Sequence, residues 1–234
     1  MVKTKYHGTR MFHLVHETWN PVTGCRHYCR YCWARLLVLR KLRFTRKYRG
    51  CLFNPTLHEY ELERRFRPGV LVFCCDMGDL FGDFIPSEWI LKVLSVIKRY
   101  PETKFLLLTK NPKRYLEFLS CLPSNVILGC TIETNRDDLY VRHGISKAPL
   151  PSMRYRVMRS LNWSPKMVSI EPILDFDLDV FVSWIKDVKP DFVYVGYDNY
   201  CCGLPEPPLS KAIKLINELK KFTQVYIKTL KKGG

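Results

Sequence analysis

Three cysteines in the N-terminal quarter of the chain have the spacing of a metal site. Cys25, Cys29 and Cys32 form the pattern Cys-x3-Cys-x2-Cys, and Asn20-Pro21 and Thr23-Gly24 interrupt regular structure just before them. The sequence therefore predicts a loop that enters a helix after Cys32. Thiolates this close together on such a turn can converge on one metal centre. A four-iron cluster held by only three of them would leave one iron free to bind another molecule.

Two simpler interpretations of these cysteines stay open. His27 could complete a Cys3His zinc site. However, His27 is only two residues from Cys25 and two from Cys29, and ligands this close in sequence would crowd one tetrahedron. The three could also be unliganded buried thiols, which are common in protein cores. The other seven cysteines form no second Cys-x2-Cys pair, so a second cluster has no support. We expect them to be reduced core or loop residues, because ten cysteines in a chain of this size are more typical of metal ligands and free thiols than of a disulfide framework.

The net charge of +16 is confined to two segments. Residues 1–67 contain 15 Lys and Arg against 4 Asp and Glu, and residues 136–166 contain 7 against 2, whereas the rest of the chain is balanced. Two basic blocks in a balanced chain indicate a surface for a polyanion, with nucleic acid as the first candidate. The alternative is a solvated basic helix face, because charge clustering alone is not specific.

Length and hydropathy indicate one globular domain over residues 1–234. No run approaches the roughly 20 apolar residues that a membrane span requires. The first residues lack an apolar core before a small-residue cleavage site, so we expect a cytoplasmic protein.

Strand and helix patterns alternate about six times along the chain, which predicts an α/β fold built on a parallel sheet, namely a partial (β/α)6 TIM-like barrel. The expected core spans about residues 13–200, and a helix and strand at about 204–230 form a short C-terminal extension. The predicted strands are 13–17, 70–75, 104–108, 125–130, 166–170, 191–195 and 224–228. The predicted helices are 34–49, 86–99, 113–120, 152–161, 179–188 and 209–221.

Polar residues cluster where these strands end. In parallel α/β barrels the chemistry gathers at the C-terminal strand ends, so these residues are expected to line a pocket with the three cysteines. They are Asp76 to Asp79, Thr109, Lys110, Thr131, Glu133, Glu171, Tyr197 and Asp198.

The cysteine motif, with aromatic Tyr31 just before its third cysteine, resembles the signature of the radical S-adenosylmethionine (SAM) superfamily. Further strings resemble one of its families, a domain-of-unknown-function family first named from phage proteins, and they span about residues 17–230. These strings are Thr18 to Cys25, Met77 to Gly82, Phe105 to Pro112, Asn125 to Gly129 and Ser169 to Leu174. The resemblance implies a [4Fe-4S] cluster, SAM as second cofactor, and reductive cleavage of SAM to a 5′-deoxyadenosyl radical.

The resemblance also implies roles for individual residues. Cys25, Cys29 and Cys32 would be the cluster ligands, and Tyr31 would lie beside the adenine of SAM. The amino group of SAM would meet the stretch Asp76, Met77, Gly78 and Asp79. Its ribose would meet Thr131 and Glu133, its carboxylate would meet Lys110, and Glu171 would contact ribose or substrate. Candidate hydrogen-atom donors to the product are Cys130, Tyr197, Cys201 and Cys202.

Three functions from different classes follow from these patterns. The first is a radical SAM enzyme that abstracts hydrogen from a nucleic acid, in RNA base modification or DNA lesion repair, with a reductase or other electron donor as partner. The second is a radical SAM enzyme acting on a peptide or small metabolite. The third is a non-catalytic, zinc-stapled nucleic-acid-binding module.

Overall fold

A computed structural model describes residues 11–230 of the chain. Seven strands form one parallel sheet in the order β1-β4-β5-β6-β7-β8-β9, and two short strands form a separate antiparallel pair. The strands are β1 Glu17–Trp19, β2 Val22–Thr23, β3 Thr56–Leu57, β4 Leu71–Cys74, β5 Lys104–Thr109, β6 Val126–Thr131, β7 Lys166–Ile170, β8 Phe192–Val195 and β9 Gln224–Ile227. The helices are α1 Trp33–Leu37, α2 Ser87–Lys98, α3 Lys113–Phe118, α4 Asp137–Arg142, α5 Pro151–Ser160, α6 Leu178–Val188 and α7 Leu209–Leu219.

The predicted fold class is confirmed, because the sheet curls into a half-barrel with helices packed on its outer side. The strand predicted in the C-terminal extension, β9, joins the same sheet and pairs in parallel with β8. No helix within residues 11–230 is long and apolar enough to cross a membrane.

The two faces of the sheet follow the alternation of side chains along each strand. Residues of one parity, such as Val72, Leu107 and Leu128, pack in the large core beneath the helices. Residues of the other parity form a second core inside the half-barrel. This inner core contains Phe73, Leu106, Ile127, Met167 and Tyr194, together with Phe12 and Val15 from the segment before β1.

That segment corrects the predicted first strand. Residues 13–16 are not in the sheet, and β1 begins at Glu17. Val15 of the predicted strand, and Phe12 before it, are buried in one cluster with Phe73 and Tyr194, so both residues fill the inside of the half-barrel.

The predicted basic helix over 34–49 is also shorter than expected. It consists of α1 and one π-helical segment, Val38–Leu42, followed by turns up to Gly50. Phe44, an apolar residue within the predicted helix, is 70% exposed, so the apolar face that would hold a longer helix against the core ends before it.

Candidate active site

The cysteine loop lies at the carboxyl ends of the strands, directly after β1. Trp19 at the end of β1 is fully buried, and its indole nitrogen donates to the Glu61 carbonyl at 2.8 Å. The Gly24 amide donates to the Met77 carbonyl at 2.9 Å, and Gly24 and Gly78 form an isolated parallel bridge. This crossing places the loop beside the end of β4.

Backbone amides aim at two of the three sulfur atoms. The His27 amide donates to Cys25 Sγ and the Arg35 amide donates to Cys32 Sγ, each at 3.4 Å. Cys32 is the N-cap of α1, so its sulfur also lies at the positive end of that short helix. Such N–H···S contacts are the outer interactions that hold and tune cluster thiolates.

Burial disfavours the thiolate form of two of the three cysteines. Burial raises the pKa of Cys25 well above its ordinary value, and Asp79 and then Cys29 add to the rise. Burial also raises the pKa of Cys32; the Arg35 amide opposes this rise and Cys29 adds to it. Buried thiols of this kind are a donor set that a bound cationic centre would complete, because coordination deprotonates a thiol outright.

The arrangement differs from a single-ion site. Within residues 11–230, no three His, Cys, Asp or Glu side chains come together closely enough to hold one metal ion. The imidazole Nε2 of His27, the proposed fourth zinc ligand, lies 3.0 Å from Asp79 Oδ2 instead. A tetrahedral zinc with bonds of about 2.3 Å needs its sulfur ligands nearly in contact, whereas a cluster takes each cysteine on a different iron. The donor set therefore fits a cluster better than zinc.

Asp79 joins three parts of the site. Its two oxygens accept hydrogen bonds from the Thr109 hydroxyl at 2.6 Å, the Lys110 amide at 2.9 Å, the Phe81 amide at 3.1 Å and His27. Burial would raise the pKa of Asp79, but these bonds hold it below its ordinary value. A carboxylate offers about four acceptor positions, and all four are used here. Asp79 thus fixes the loops around the cysteines, which leaves it little capacity for the predicted contact with the amino group of SAM.

The neighbouring residues keep more capacity for a ligand. Asp76 accepts from the Asn20 side-chain amide at 2.5 Å, and burial raises its pKa. The Met77 amide donates to Asn20 Oδ1 at 3.0 Å, and the Met77 side chain packs in the cluster of apolar residues that Cys25 and Cys32 contact. Within the predicted stretch, Asp76 is therefore the acid still able to accept from an ammonium group.

A buried charge network occupies the end of β6. Glu133 and Arg154 are both fully buried, and Arg154 Nη1 donates to Glu133 Oε2 at 2.7 Å. Arg154 also donates to the Thr131 carbonyl at 2.9 Å and to the Tyr140 hydroxyl at 2.6 Å, while the Tyr31 hydroxyl donates to Glu133. The predicted site residues Tyr31, Thr131 and Glu133 thus meet through Arg154.

Sequence reasoning counted Arg154 only as part of the second basic segment. A signal was available, because Arg154 falls on the buried stripe of α5 with Pro151, Tyr155 and Met158. A cation at a core position of an amphipathic helix indicates a buried partner.

Lys110 and Glu171 lie at the ends of β5 and β7. The ammonium of Lys110 lies 5.3 Å from the centre of the Tyr31 ring. Burial lowers its pKa, but Cys29 and Glu133 outweigh burial and raise it overall, which favours the charged form needed to pair with a carboxylate. Glu171 lies 3.0 Å from Lys228 just beyond β9, a partner that sequence reasoning missed. Gly196 leaves room for this pair, since a Cβ there would lie 3.0 Å from Glu171 Oε1.

The predicted hydrogen-atom donors fall in different places. Cys130 is fully buried in the helix-facing core, out of reach of a substrate, which argues against the predicted role. The Tyr197 hydroxyl is buried and donates to the Pro207 carbonyl at 2.8 Å, which also argues against it. Cys201 is exposed and Cys202 is half-buried in the loop after β8. The Cys202 carbonyl accepts from Arg30 at 3.2 Å, so this loop rims the cysteine loop.

The two basic segments meet at the cysteines. The Lys147 amide and the Ser146 hydroxyl both donate to the His27 carbonyl, at 2.7 Å and 3.0 Å. The Arg30 amide donates to the Ile145 carbonyl at 3.0 Å, and Ser146 Oγ lies 3.1 Å from Cys29 Sγ. Residues separated by more than a hundred positions thus build one wall of the candidate site.

The solved structures similar to this chain are radical SAM enzymes, and they share its partial barrel. A spore photoproduct lyase mutant with bound AdoMet and dinucleoside spore photoproduct is similar over 92% of this chain and 76% of its own, with 9% identity and a TM-score of 0.63. SuiB of Streptococcus suis, bound to precursor peptide SuiA, is similar over 92% of this chain and 48% of its own, with 12% identity and a TM-score of 0.57. HydG, a maturase of the [FeFe]-hydrogenase, is similar over 89% of this chain and 50% of its own, with 11% identity and a TM-score of 0.54.

The chain belongs to the family described as a protein of unknown function, DUF5131, whose match covers residues 10–196. No curated protein matches it.

Proposed function

We propose that this chain is a radical SAM enzyme whose substrate is a nucleic acid. The observation that supports the enzyme class best is the cysteine loop: three thiols, two of them contacted by backbone amides, at the carboxyl end of a parallel half-barrel. A [4Fe-4S] cluster held there by three cysteines supplies, when bound, the electron that cleaves SAM to methionine and a 5′-deoxyadenosyl radical, once an external donor has reduced it.

The residues around the loop would bind and orient SAM. Asp76 offers an acceptor for its ammonium group and Lys110 a cation for its carboxylate. Tyr31, held by Glu133 and stacked under Lys110, presents a ring beside the cysteines for the adenine. The buried walls around these groups exclude water from the reaction.

Charge supports nucleic acid as the substrate. Both basic segments contribute cations beside the cysteine loop, namely Arg35 and Lys147 against the Tyr28 ring, so part of their positive charge lies at the mouth of the site. Phosphates supply most of the affinity of such surfaces through counterion release. Spore photoproduct lyase, which carries a dinucleoside in its structure, has the same fold. A peptide substrate, as bound by SuiB, would not need this charge.

The first test uses protein reconstituted with iron and sulfide without oxygen, then given SAM and dithionite. We expect 5′-deoxyadenosine from the wild type and none from Cys29→Ala, which should also lose the brown cluster absorbance. Cys121→Ala is the matched control, because Cys121 is exposed at the end of α3, away from the loop. Undiminished 5′-deoxyadenosine from Cys29→Ala would contradict the proposal.

The same preparation tests the substrate class. We expect binding of RNA or DNA oligonucleotides to weaken steeply as salt rises, because several phosphates are neutralised together. Binding that is absent, or insensitive to salt, would contradict the nucleic-acid substrate and leave a peptide or metabolite as the alternative.

A further inference from the structure

Tyr28 is an exposed aromatic residue in the cysteine loop, in a conformation that a tyrosine rarely adopts. It lies between His27 and Cys29, its φ is +51°, and its side chain is 46% exposed. Left-handed backbone is strained for residues other than glycine, and asparagine or aspartate tolerate it better than tyrosine does. Such an outlier at a candidate active site points to a use for the side chain.

The surroundings determine where the ring points. The His27 carbonyl accepts from Ser146 and from the Lys147 amide, and the His27 imidazole is buried against Asp79. With the preceding residue held from both sides, the tyrosine ring extends to solvent at the mouth of the site.

Two cations from different basic segments contact this one ring. The guanidinium of Arg35 lies 4.8 Å and the ammonium of Lys147 lies 5.1 Å from the ring centre. Neither side chain forms an ion pair within the described part of the chain. Both charges are therefore available to bind a phosphate near the ring.

An exposed aromatic ring flanked by cations is how proteins bind unpaired nucleotides, with the base on the ring and the phosphates on the cations. The first basic segment repeats the pairing away from the loop, since Arg43 lies 4.6 Å from the Phe44 ring and Arg46 lies 5.9 Å from the Tyr60 ring. The Tyr28 ring differs from these two rings because it lies next to Cys29, a predicted cluster ligand.

We infer that Tyr28 is a stacking platform for an unpaired base of the substrate, and that Arg35 and Lys147 move off the ring face to bind the phosphates beside that base. This inference rests on the proposed function and narrows it. The substrate is a single-stranded or locally opened nucleic acid, because a base inside a duplex offers no free face to the ring. The platform would hold the strand at the mouth, next to the reacting position.

The test is fluorescence anisotropy with a labelled single-stranded RNA, the DNA of the same sequence, and the duplex. We expect the single strand of at least one type to bind more tightly than the duplex. Tyr28→Ala should weaken single-strand binding about tenfold, whereas Tyr28→Phe should retain the affinity because it keeps the ring. Lys147→Ala should reduce the slope of log affinity against log salt by about one.

Matched controls come from the opposite end of the barrel. Phe222→Ala removes a ring that is 36% exposed just before β9, and Lys220→Ala removes an exposed cation near it. Both should bind like the wild type. The Tyr28→Phe protein reports on folding of the loop, since it shares the backbone conformation of the wild type.

Equal single-strand affinity of Tyr28→Ala and the wild type would overturn the inference, and so would equal weakening of single-strand and duplex binding. These failures differ from failure of the proposed function. Wild-type protein that forms 5′-deoxyadenosine but shows no effect of Tyr28→Ala contradicts the platform alone. Wild-type protein that forms none contradicts the radical SAM proposal.

Discussion

Glu133 and Arg154 are opposite charges with no exposed surface, and their pairing determines what the end of β6 can do. Each oxygen of Glu133 already accepts a hydrogen bond, one from Arg154 and one from Tyr31. A SAM ribose would therefore share a carboxylate that also orients the tyrosine next to Cys32. Arg154 is in this account a positioning residue, acting through Glu133 and Tyr31.

Breaking this pair is expected to be severe. Arg154→Met leaves the Glu133 carboxylate buried without its partner, which should lower the free energy of unfolding by about 3–5 kcal/mol. Glu133→Gln combined with Arg154→Met removes both charges and should recover part of that loss. Urea denaturation of Arg154→Met, of Glu133→Gln and of the double variant gives the coupling free energy between the two side chains. Strictly additive losses would contradict a direct interaction.

At the level of elements, the cysteine loop depends on one close backbone crossing. Gly24 has φ +85°, and a Cβ there would lie 2.2 Å from the Asn54 carbonyl oxygen. The hydrogen bond from the Gly24 amide to the Met77 carbonyl holds the loop to the end of β4. The cysteine loop is therefore held in place where β2, the connection to β3 and the β4 loop approach within backbone contact.

Gly24→Ala should displace this crossing, while Gly50→Ala provides a control with nearly the same backbone. Gly50 has φ +83° with nothing within 4 Å of a Cβ, so its substitution should cost only the left-handed strain of about 1–2 kcal/mol. Gly24→Ala should lower the free energy of unfolding several times more than Gly50→Ala does, and it should reduce iron loading on reconstitution. Urea denaturation and iron analysis measure the two effects. Similar losses in both variants would show that the crossing is not tight.

Elements were predictable from sequence where the periodic signal is strong. Strands β4 to β8 and helices α2 and α6 lie close to their predicted positions, because continuous apolar runs and long amphipathic stripes leave little ambiguity. The predictions for the segment before β1 and for the helix over 34–49 were wrong. Phe12 and Val15 pack inside the barrel, and Phe44 faces solvent. Tertiary packing determined the structure of both segments, and the local sequence pattern contains no information about that packing.

For the molecule as a whole, sequence spacing located the site but not its internal pairing. Contacts of His27 with Asp79, and of Tyr31 with Glu133 and Lys110, bring the cysteine loop to the ends of β4, β5 and β6. The bonds that engage Asp79, the pairing of Glu133 with Arg154 and that of Glu171 with Lys228 join residues far apart in the chain. Only the fold brings such partners together, so one sequence could not reveal which predicted ligands were already engaged.

The whole account depends on a cluster with one iron left open by the protein. Its most direct test is electron paramagnetic resonance of the reconstituted, dithionite-reduced protein, with and without SAM, after iron, sulfide and zinc analysis. We expect about four irons and four sulfides per chain, and a spectrum that changes when SAM binds the open iron. A spectrum that SAM leaves unchanged, or zinc in place of iron and sulfide, would contradict it.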